Sequence, residues 1–313
     1  MPTYRDTWAS LQRLLAALAA HYSAEFRAAV MAEGLGREPV GVLLLAANLH
    51  PQPISAARLL ASLPYYAETA FSTRLERLAA GEWLEVRAVG YGLSLRGHTV
   101  AEALHGVVRA RLGALAPMPP ADLERLAQLL ERLFLACRAS ADVPDQGCVA
   151  LSGNAGPFPE PGASPLARAA RAIEALTNYR CDAHRAAWGP MGVNGPVWET
   201  LTWLWRGHAN SPAGLRVWAE KQPFPRGWSA ADYARFLSEL QARGWVESVP
   251  DATWSLTPPG RVARDAAEAD TDARFYAPWA ALTSDELGEL ARRAAVVAEA
   301  LSAKSVVNFP IDG

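Results

Sequence analysis

The densest group of chemically active side chains lies in residues 179–188, which read YRCDAHRAAW. Arg180, His184 and Trp188 are spaced i, i+4 and i+8, so a helix would place them on one face. Aromatic walls with a few polar groups are typical of small-molecule pockets. The predicted ligand-binding residues are Tyr179, Arg180, Asp182, His184, Trp188 and Trp203.

The same stretch offers less for catalysis or metal binding. Asp182 lies two positions from His184 and points to another face, so His184 has no identifiable partner as a general base. Cys181 and His184 could share a metal ion, but a metal site needs three or four ligands. The chain has no phosphate loop, dinucleotide fingerprint, nucleophile elbow or zinc-protease motif. We therefore predict no metal and no cofactor, and assign no catalytic residue.

A core role competes with the ligand-site interpretation. Nine of the eleven tryptophans fall between residues 188 and 279, and tryptophans in helical proteins usually belong to the core. A single histidine on an amphipathic helix is more often a hydrogen-bonded structural residue than a ligand-binding one. Both interpretations of residues 179–188 stay open.

A second group of side chains could contact nucleic acid. Arginine neutralises phosphates and can bind guanine through two hydrogen bonds, and short hydroxyl side chains also donate to phosphates. Such residues occur on a predicted helix over 67–80, before it, and around a following hairpin: Arg58, Ser72, Thr73, Arg74, Arg77, Arg87 and Arg96. The alternative is that these arginines form an ordinary solvated helix face.

Charge and composition limit the possible functions. The chain has 30 Lys and Arg against 32 Asp and Glu, a formal net charge of −2, so binding to DNA would depend on a local patch. Three cysteines without CxxC spacing are typical of a reducing compartment. The sequence shows no secretory signal and no apolar run long enough to span a bilayer, so we predict a cytoplasmic protein without membrane contact.

The elements that must position these side chains follow from an internal repeat. Residues 71–83 (FSTRLERLAAGEW) align without gaps with residues 233–245 (YARFLSELQARGW) at an offset of 162. The copies run over roughly 5–140 and 165–303. We predict domain 1 over 1–140, a Gly/Pro-rich linker over 141–165 and domain 2 over 166–313.

Each copy is predicted to form several helices and a small hairpin. Copy one predicts helices over 8–33, 39–48, 56–62, 67–80, 98–113 and 121–138, with strands flanking Gly90-Tyr91-Gly92. Copy two predicts helices over 168–188, 196–206, 212–220 and 229–243, with strands WVESV and TWSLT. The predicted fold is mainly α with small β-hairpin wings: two tandem winged-helix domains forming a pseudo-dimer with long flanking helices.

The pattern resembles the MarR-type winged-helix regulators. The residues that carry the resemblance in copy two are Leu237, Leu240, Gly244, Trp245, Val246, Glu247, Leu256, Thr257 and Gly260. In copy one they are Leu75, Leu78, Trp83, Leu84, Glu85, Leu95 and Gly97. The tandem form is also similar to a double winged-helix group of actinobacterial type.

The resemblance implies double-stranded DNA and a small-molecule effector as partners, with a homodimer as one option for the assembly. In such proteins the third short helix enters the major groove, the wing reaches the backbone or minor groove, and effectors bind beside the dimerisation helices. The helix over 67–80 would then contact DNA, and the stretch over 179–188 would lie near an effector.

Copy two departs from the expected basic surface. Its helix over 229–243 would present Asp232, Tyr233, Arg235 and Glu239, and its wing SVPDATWS has no basic residue. We therefore expect DNA contact mainly from copy one. The leading hypothesis is a ligand-responsive transcriptional regulator. The alternatives are a small-molecule-binding protein or enzyme that no longer binds DNA, and a protein-binding scaffold.

Overall fold

The computed structural model describes residues 3–140, 162–222, 224–250 and 253–306. The predicted linker over 141–165 therefore lies almost entirely outside the described residues, as do Cys148 and two residues of the second wing turn, 251–252.

The described chain is mainly helical, with one small hairpin in each half. The first half contains α1 (Tyr4–Ala32), α2 (Arg37–Leu49), α3 (Ala56–Ser62), α4 (Glu68–Ala80), β1 (Leu84–Val86), β2 (Tyr91–Leu93), α5 (Leu95–Gly113) and α6 (Pro120–Arg138). The second half contains α7 (Pro165–Trp188), α8 (Gly195–Trp205), α9 (Pro212–Glu220), α10 (Ala230–Ala242), β3 (Val246–Val249), β4 (Thr253–Leu256), α11 (Pro258–Tyr276) and α12 (Ser284–Val306), with short 3₁₀ turns at Gly189–Met191 and Ala277–Ala281. The mainly α prediction with small hairpins is confirmed.

Polar side chains begin several of these helices. Ser55 accepts from the Arg58 N–H and caps α3, and Ser211 accepts from the Gly214 N–H and caps α9. Ser229 forms a reciprocal capping box with Asp232 at the start of α10. Each cap satisfies a backbone N–H that has no partner inside its helix, so the local sequence sets where these helices begin.

Both hairpins are antiparallel pairs of short strands. In the first, Leu84 pairs with Leu93, and in the second Val246 pairs with Leu256. The first hairpin is extended by Ile54, whose N–H and C=O each bond to Tyr91 at 2.8 Å. This contact holds the segment before α3 against the hairpin.

The residues group into two compact units, each of which draws on both halves of the sequence. The helical unit comprises Met1–Gly36, His98–Cys181 and Arg274–Gly313. The hairpin unit comprises Arg37–Gly97, which we call lobe one, and Asp182–Ala273, which we call lobe two. Both predicted helix-turn-helix segments and their hairpins therefore lie in the hairpin unit.

The helical unit is a bundle in which α1 packs along α12. Apolar side chains at helical spacing are fully buried, among them Leu11, Leu14 and Leu18 on α1. Ion pairs reinforce the packing: Arg132 of α6 bonds to Glu286 of α12, and Arg168 of α7 bonds to α6. The hydrogen bond from Arg132 lowers the pKa of Glu286 to about 2.

In both lobes, the hairpin is joined to the helix that follows it in the same way. A Cβ on Gly97 would lie 2.0 Å from the carbonyl oxygen of Trp83, and a Cβ on Gly260 would lie 2.0 Å from that of Trp245. Because no real Cβ comes so close to a backbone oxygen, only glycine fits at either position. The same constraint therefore recurs 163 residues apart.

Among the described residues, none of the helices combines the length and the apolar character that a membrane span requires.

Candidate nucleic-acid interface

The helix α4 has one buried and one exposed face. Phe71, Leu75 and Leu78 are 2% exposed or less and form part of the core of lobe one. Thr73 and Arg77 are exposed, and Ser72 is half-buried with its hydroxyl donating to the carbonyl of Glu68. Of the predicted DNA contacts on this helix, Thr73 and Arg77 are therefore the accessible ones.

Arg74 is not on the exposed face, and its prediction as a DNA contact is corrected. Its side chain is 4% exposed, and Nη2 donates to the carbonyl oxygen of Pro225 in lobe two at 3.0 Å. The guanidinium also lies 5.9 Å from the ring centre of Tyr66 and 5.8 Å from that of Phe71. A buried guanidinium held by a carbonyl and two rings has no access to a phosphate or a base edge.

Three of the other predicted arginines make side-chain contacts within their own lobe. Arg58 donates to the carbonyl of Pro53 and to the side chain of Gln52. Arg87 pairs with Glu85 on the hairpin, and Arg96 donates to the carbonyl of Gly81 while lying 4.7 Å from the centre of the Trp83 ring. Surface contacts of this kind are worth about 0–1 kcal/mol, so they reduce the attraction to phosphate without abolishing it.

Lobe two presents a weaker surface. Arg235 of α10 is 67% exposed but pairs with Asp232 at 2.8 Å. Tyr233, which the sequence placed on the presented face, is 1% exposed and packs against Trp203. The described residues of its hairpin, Val246–Val249 and Thr253–Leu256, include no arginine or lysine. That copy one makes the main DNA contact stays a prediction.

The turns that precede the two candidate DNA-reading helices contact each other. The Ala67 N–H, at the start of α4, donates to the carbonyl oxygen of Arg226 at 2.9 Å. The indole N–H of Trp228 donates to the carbonyl of Tyr65 at 2.9 Å, and Arg226 Nη1 donates to the Tyr66 hydroxyl at 2.5 Å. Residues 65–67 of lobe one therefore lie directly on residues 225–228 of lobe two.

A buried ion pair supports this contact. The Arg226 guanidinium donates to both carboxylate oxygens of Glu199, with Nη2 to Oε1 at 2.9 Å, and the side chains are 15% and 12% exposed. Burial raises the pKa of the Glu199 carboxyl, and the charge and hydrogen bonds of Arg226 oppose that rise. Arg226 thus links α8 of lobe two to Tyr66 of lobe one.

The predicted ligand residues do not all lie in one unit. Tyr179 and Arg180 belong to the helical unit, where the Tyr179 ring is fully buried and the Arg180 guanidinium lies 5.9 Å from the centre of the Phe275 ring. Asp182 is the first residue of lobe two and is 5% exposed. Trp203 is 6% exposed in the lobe-two core.

Both ring nitrogens of His184 are hydrogen-bonded inside lobe two. The indole N–H of Trp198 donates to Nε2 at 3.1 Å. Because Nε2 accepts in a neutral ring, Nδ1 carries the proton and donates to the Thr271 hydroxyl at 3.0 Å. Trp188 stacks on Trp198 with ring centres 6.0 Å apart, and its N–H donates to the Tyr65 hydroxyl. His184 is therefore hydrogen-bonded at both ring nitrogens within the lobe, and its role in a ligand site stays a prediction.

One open groove lies in the helical unit. It has a volume of about 470 Å³, lies between α1 and α12, and is floored by Ala16, Ala20, Ala295 and Ala298. None of the predicted ligand residues lines it. Within the part of the chain that the structure describes, no group of three His, Cys, Asp or Glu side chains could hold a metal ion.

Sequence reasoning missed the residues of the turn-to-turn contact. Tyr66 pairs with Arg226 and Tyr65 with Trp228 over about 160 positions, and Glu199 holds Arg226 over 27 positions. No local periodicity marks these residues. One signal was available: two adjacent tyrosines in a turn between short helices are unusual for a solvent-exposed connection.

The model of a helix-turn-helix family matches residues 93–308, more than two thirds of the chain. The matched region contains α10 and its hairpin and begins after α4. No curated protein and no solved structure matches the chain. The match suggests a DNA-binding regulator in general terms. The chain belongs to this helix-turn-helix family.

Proposed function

We propose that this protein is a DNA-binding regulator of the MarR type, with two tandem winged-helix lobes whose DNA-reading helices are α4 and α10. Membership of a helix-turn-helix family supports the general function. Two further observations support the tandem arrangement: each lobe has the order of helices followed by a hairpin, and Gly97 and Gly260 meet the same steric constraint.

The observation that carries the proposal is the exposed face of α4. Arg77 lies on that face and makes no ion pair within the described residues, so its charge is available to a phosphate. Thr73 lies one turn earlier on the same face and adds a hydroxyl donor. Lobe one also has the more favourable charge, with six arginines against five acidic residues, whereas lobe two has nine basic and eleven acidic residues.

The test is binding to random-sequence duplex DNA, followed by fluorescence anisotropy. Arg77→Ala is expected to weaken binding and to reduce the slope of log affinity against log salt by about 1, because one phosphate contact is lost. Arg216→Ala is the matched control, since Arg216 is also exposed on a short helix but pairs with Glu220. Equal binding by the two variants would contradict a DNA contact through α4.

A second candidate is a small-molecule-binding protein that no longer binds DNA. It is favoured by the contacts that the candidate DNA-binding arginines already make within the protein. Arg74 is buried, and Arg58, Arg87 and Arg96 already have partners. The aromatic cluster of Trp188, Trp198 and His184 is then the place for a ligand, as it is for an effector of the regulator. A ligand must displace side chains there, because both nitrogens of His184 are bonded.

Tryptophan fluorescence tests this second candidate and the effector together. A ligand that enters the cluster will change the emission of Trp188 and Trp198, and Trp188→Phe will reduce that change. Binding of the same compound with unchanged tryptophan emission would place its site elsewhere.

A further inference from the structure

One flank of the candidate reading helix α4 lies against a segment of lobe two, while Glu68 and Thr69 in its first turn are exposed. Residues 224–228, which we call the plug, lie against the first turn and one flank of α4. A Cβ on Gly227 would lie 2.9 Å from the Cβ of Ala70 and 3.2 Å from that of Ala67. Further along the helix, the carbonyl of Pro225 accepts from Arg74. The plug therefore contacts α4 over two turns.

The end of α4 that the plug contacts is the part of a reading helix that normally meets DNA. The N-terminal residues of a recognition helix contact base edges, and its first N–H groups donate to phosphates. Here the Ala67 N–H donates to the carbonyl of Arg226, and Ala67 supplies no side-chain cap to α4. By contrast, α10 begins at Ser229 with a capping box of its own. A plug carbonyl thus accepts from the amide that precedes the first turn of α4.

The plug is held in place by side-chain hydrogen bonds as well as by backbone contacts. The Arg226 guanidinium is held by the carboxylate of Glu199 on its own lobe and donates across to the Tyr66 hydroxyl. The indole N–H of Trp228 adds a bond to the carbonyl of Tyr65. These contacts hold the turn before α4 closed against lobe two.

We infer that the plug is an autoinhibitory segment: it stands where DNA would approach the first turn of α4, so tight binding requires its release from residues 65–70, while Thr73 and Arg77 stay accessible for weak contact. This inference rests on the proposed DNA-binding function. When only a fraction of the molecules is open, the apparent dissociation constant is the intrinsic constant divided by that fraction. Changes that loosen the plug without touching the exposed face of α4 therefore increase DNA affinity.

Gly227→Ala is the first perturbation, because its added methyl group is forced against Ala67 and Ala70. Gly227 has a φ of +82°, so the substitution also strains the backbone. Gly207→Ala is the matched control: Gly207 has a φ of +69° in the same lobe, and no atom lies within 4 Å of its added Cβ. The difference between the two variants isolates the displacement of the plug. Tyr66→Phe is a milder second variant that removes the hydroxyl bonded to Arg226.

Two readouts are combined. Hydrogen exchange at the Ala67 amide reports release of the plug, because that amide is bonded to the Arg226 carbonyl. Binding to random-sequence duplex DNA at low salt reports access to α4. We expect Gly227→Ala and Tyr66→Phe to speed exchange at Ala67 and to tighten DNA binding by about tenfold over the wild type and Gly207→Ala.

Three results would overturn the inference, and they differ in what they say of the function. If the Ala67 amide exchanges faster in a variant, but that variant and the wild type bind DNA with equal affinity, the plug is not inhibitory. The DNA-binding function then stands. If the amide stays protected in both variants, residues 224–228 are a permanent part of the lobe contact. If the plug is released and no variant binds DNA, the inference and the proposed function fail together.

Discussion

Replacing Glu199 by glutamine tests how far the two lobes depend on the buried ion pair. Glu199 receives hydrogen bonds from both Nε and Nη2 of Arg226, at 3.0–3.1 and 2.9 Å. Glutamine has nearly the same shape and keeps one acceptor oxygen. What it removes is the negative charge that compensates a guanidinium only 15% exposed.

The expected loss is large because the remaining charge stays buried. Removing one partner of a buried pair costs about 3–5 kcal/mol, and the acceptor oxygen that glutamine keeps favours the lower end, about 3 kcal/mol. The hairpin unit, residues 37–97 and 182–273, has about 150 residues, for which 1 kcal/mol corresponds to roughly 2–4 °C in Tm. Glu199→Gln should therefore lower the Tm of this unit by about 6–12 °C.

Thermal unfolding followed by circular dichroism measures the shift, with urea unfolding as a second estimate of the free energy. The matched control is Glu220→Gln, which breaks the exposed pair between Glu220 and Arg216, whose side chains are 52% and 46% exposed. Such pairs contribute about 0–1 kcal/mol, so its Tm should change by no more than about 3 °C. Equal shifts for the two variants would refute the role assigned to the Glu199–Arg226 pair.

Three further predictions concern single side chains. Arg74→Ala should lower the free energy of unfolding by about 1.5–3 kcal/mol, because it removes a charged hydrogen bond from a buried site; unchanged stability in urea would contradict that burial. Because Arg132 holds the pKa of Glu286 at about 2, below its ordinary 4.5, the stabilisation from Glu286 is complete above pH 4.5 and is lost as the pH falls towards 2. The Tm of wild type should fall over that range more steeply than that of Glu286→Gln, and a carboxyl titration near pH 4.5 would refute the assignment. His184→Ala should cost about 1–3 kcal/mol, since it leaves the fully buried Trp198 N–H without its acceptor; a variant as stable as wild type in urea would argue against it.

Local chemistry explains why many element boundaries could be predicted. The predicted helices over 56–62 and 212–220 coincide with α3 and α9, because Ser55 and Ser211 each supply an N-cap immediately before them. The first helix was predicted to begin at residue 8 but begins at Tyr4. The reason is also local: Thr3 and Asp6 form a capping box, a signal that the apolar periodicity alone did not contain.

The burial of Arg74 shows that the sequence of a single helix does not determine which of its side chains are exposed. Arg74 lies beside the apolar positions of α4, so its exposure depends on whether another segment covers that flank. At the offset of 162, the aligned residue of copy two is Phe236, which is 4% exposed like Arg74 itself. The apolar counterpart was therefore a signal that this position is covered.

The contact between the plug and residues 65–67 could not be predicted from the sequence. It joins segments about 160 residues apart through two backbone acceptors and one arginine, and backbone acceptors have no sequence signature. The division into a helical and a hairpin unit likewise depends on long-range packing, which groups segments from both halves of the chain.

The most direct test of the proposed function is the affinity of the full chain for random-sequence duplex DNA across a salt series. A DNA-binding regulator should bind with a dissociation constant of about 1–100 µM at low salt, and the logarithm of its affinity should fall linearly with the logarithm of salt concentration. Absence of binding at the lowest salt, in wild type and in Gly227→Ala alike, would contradict the DNA-binding function and favour a ligand-binding protein on the same scaffold.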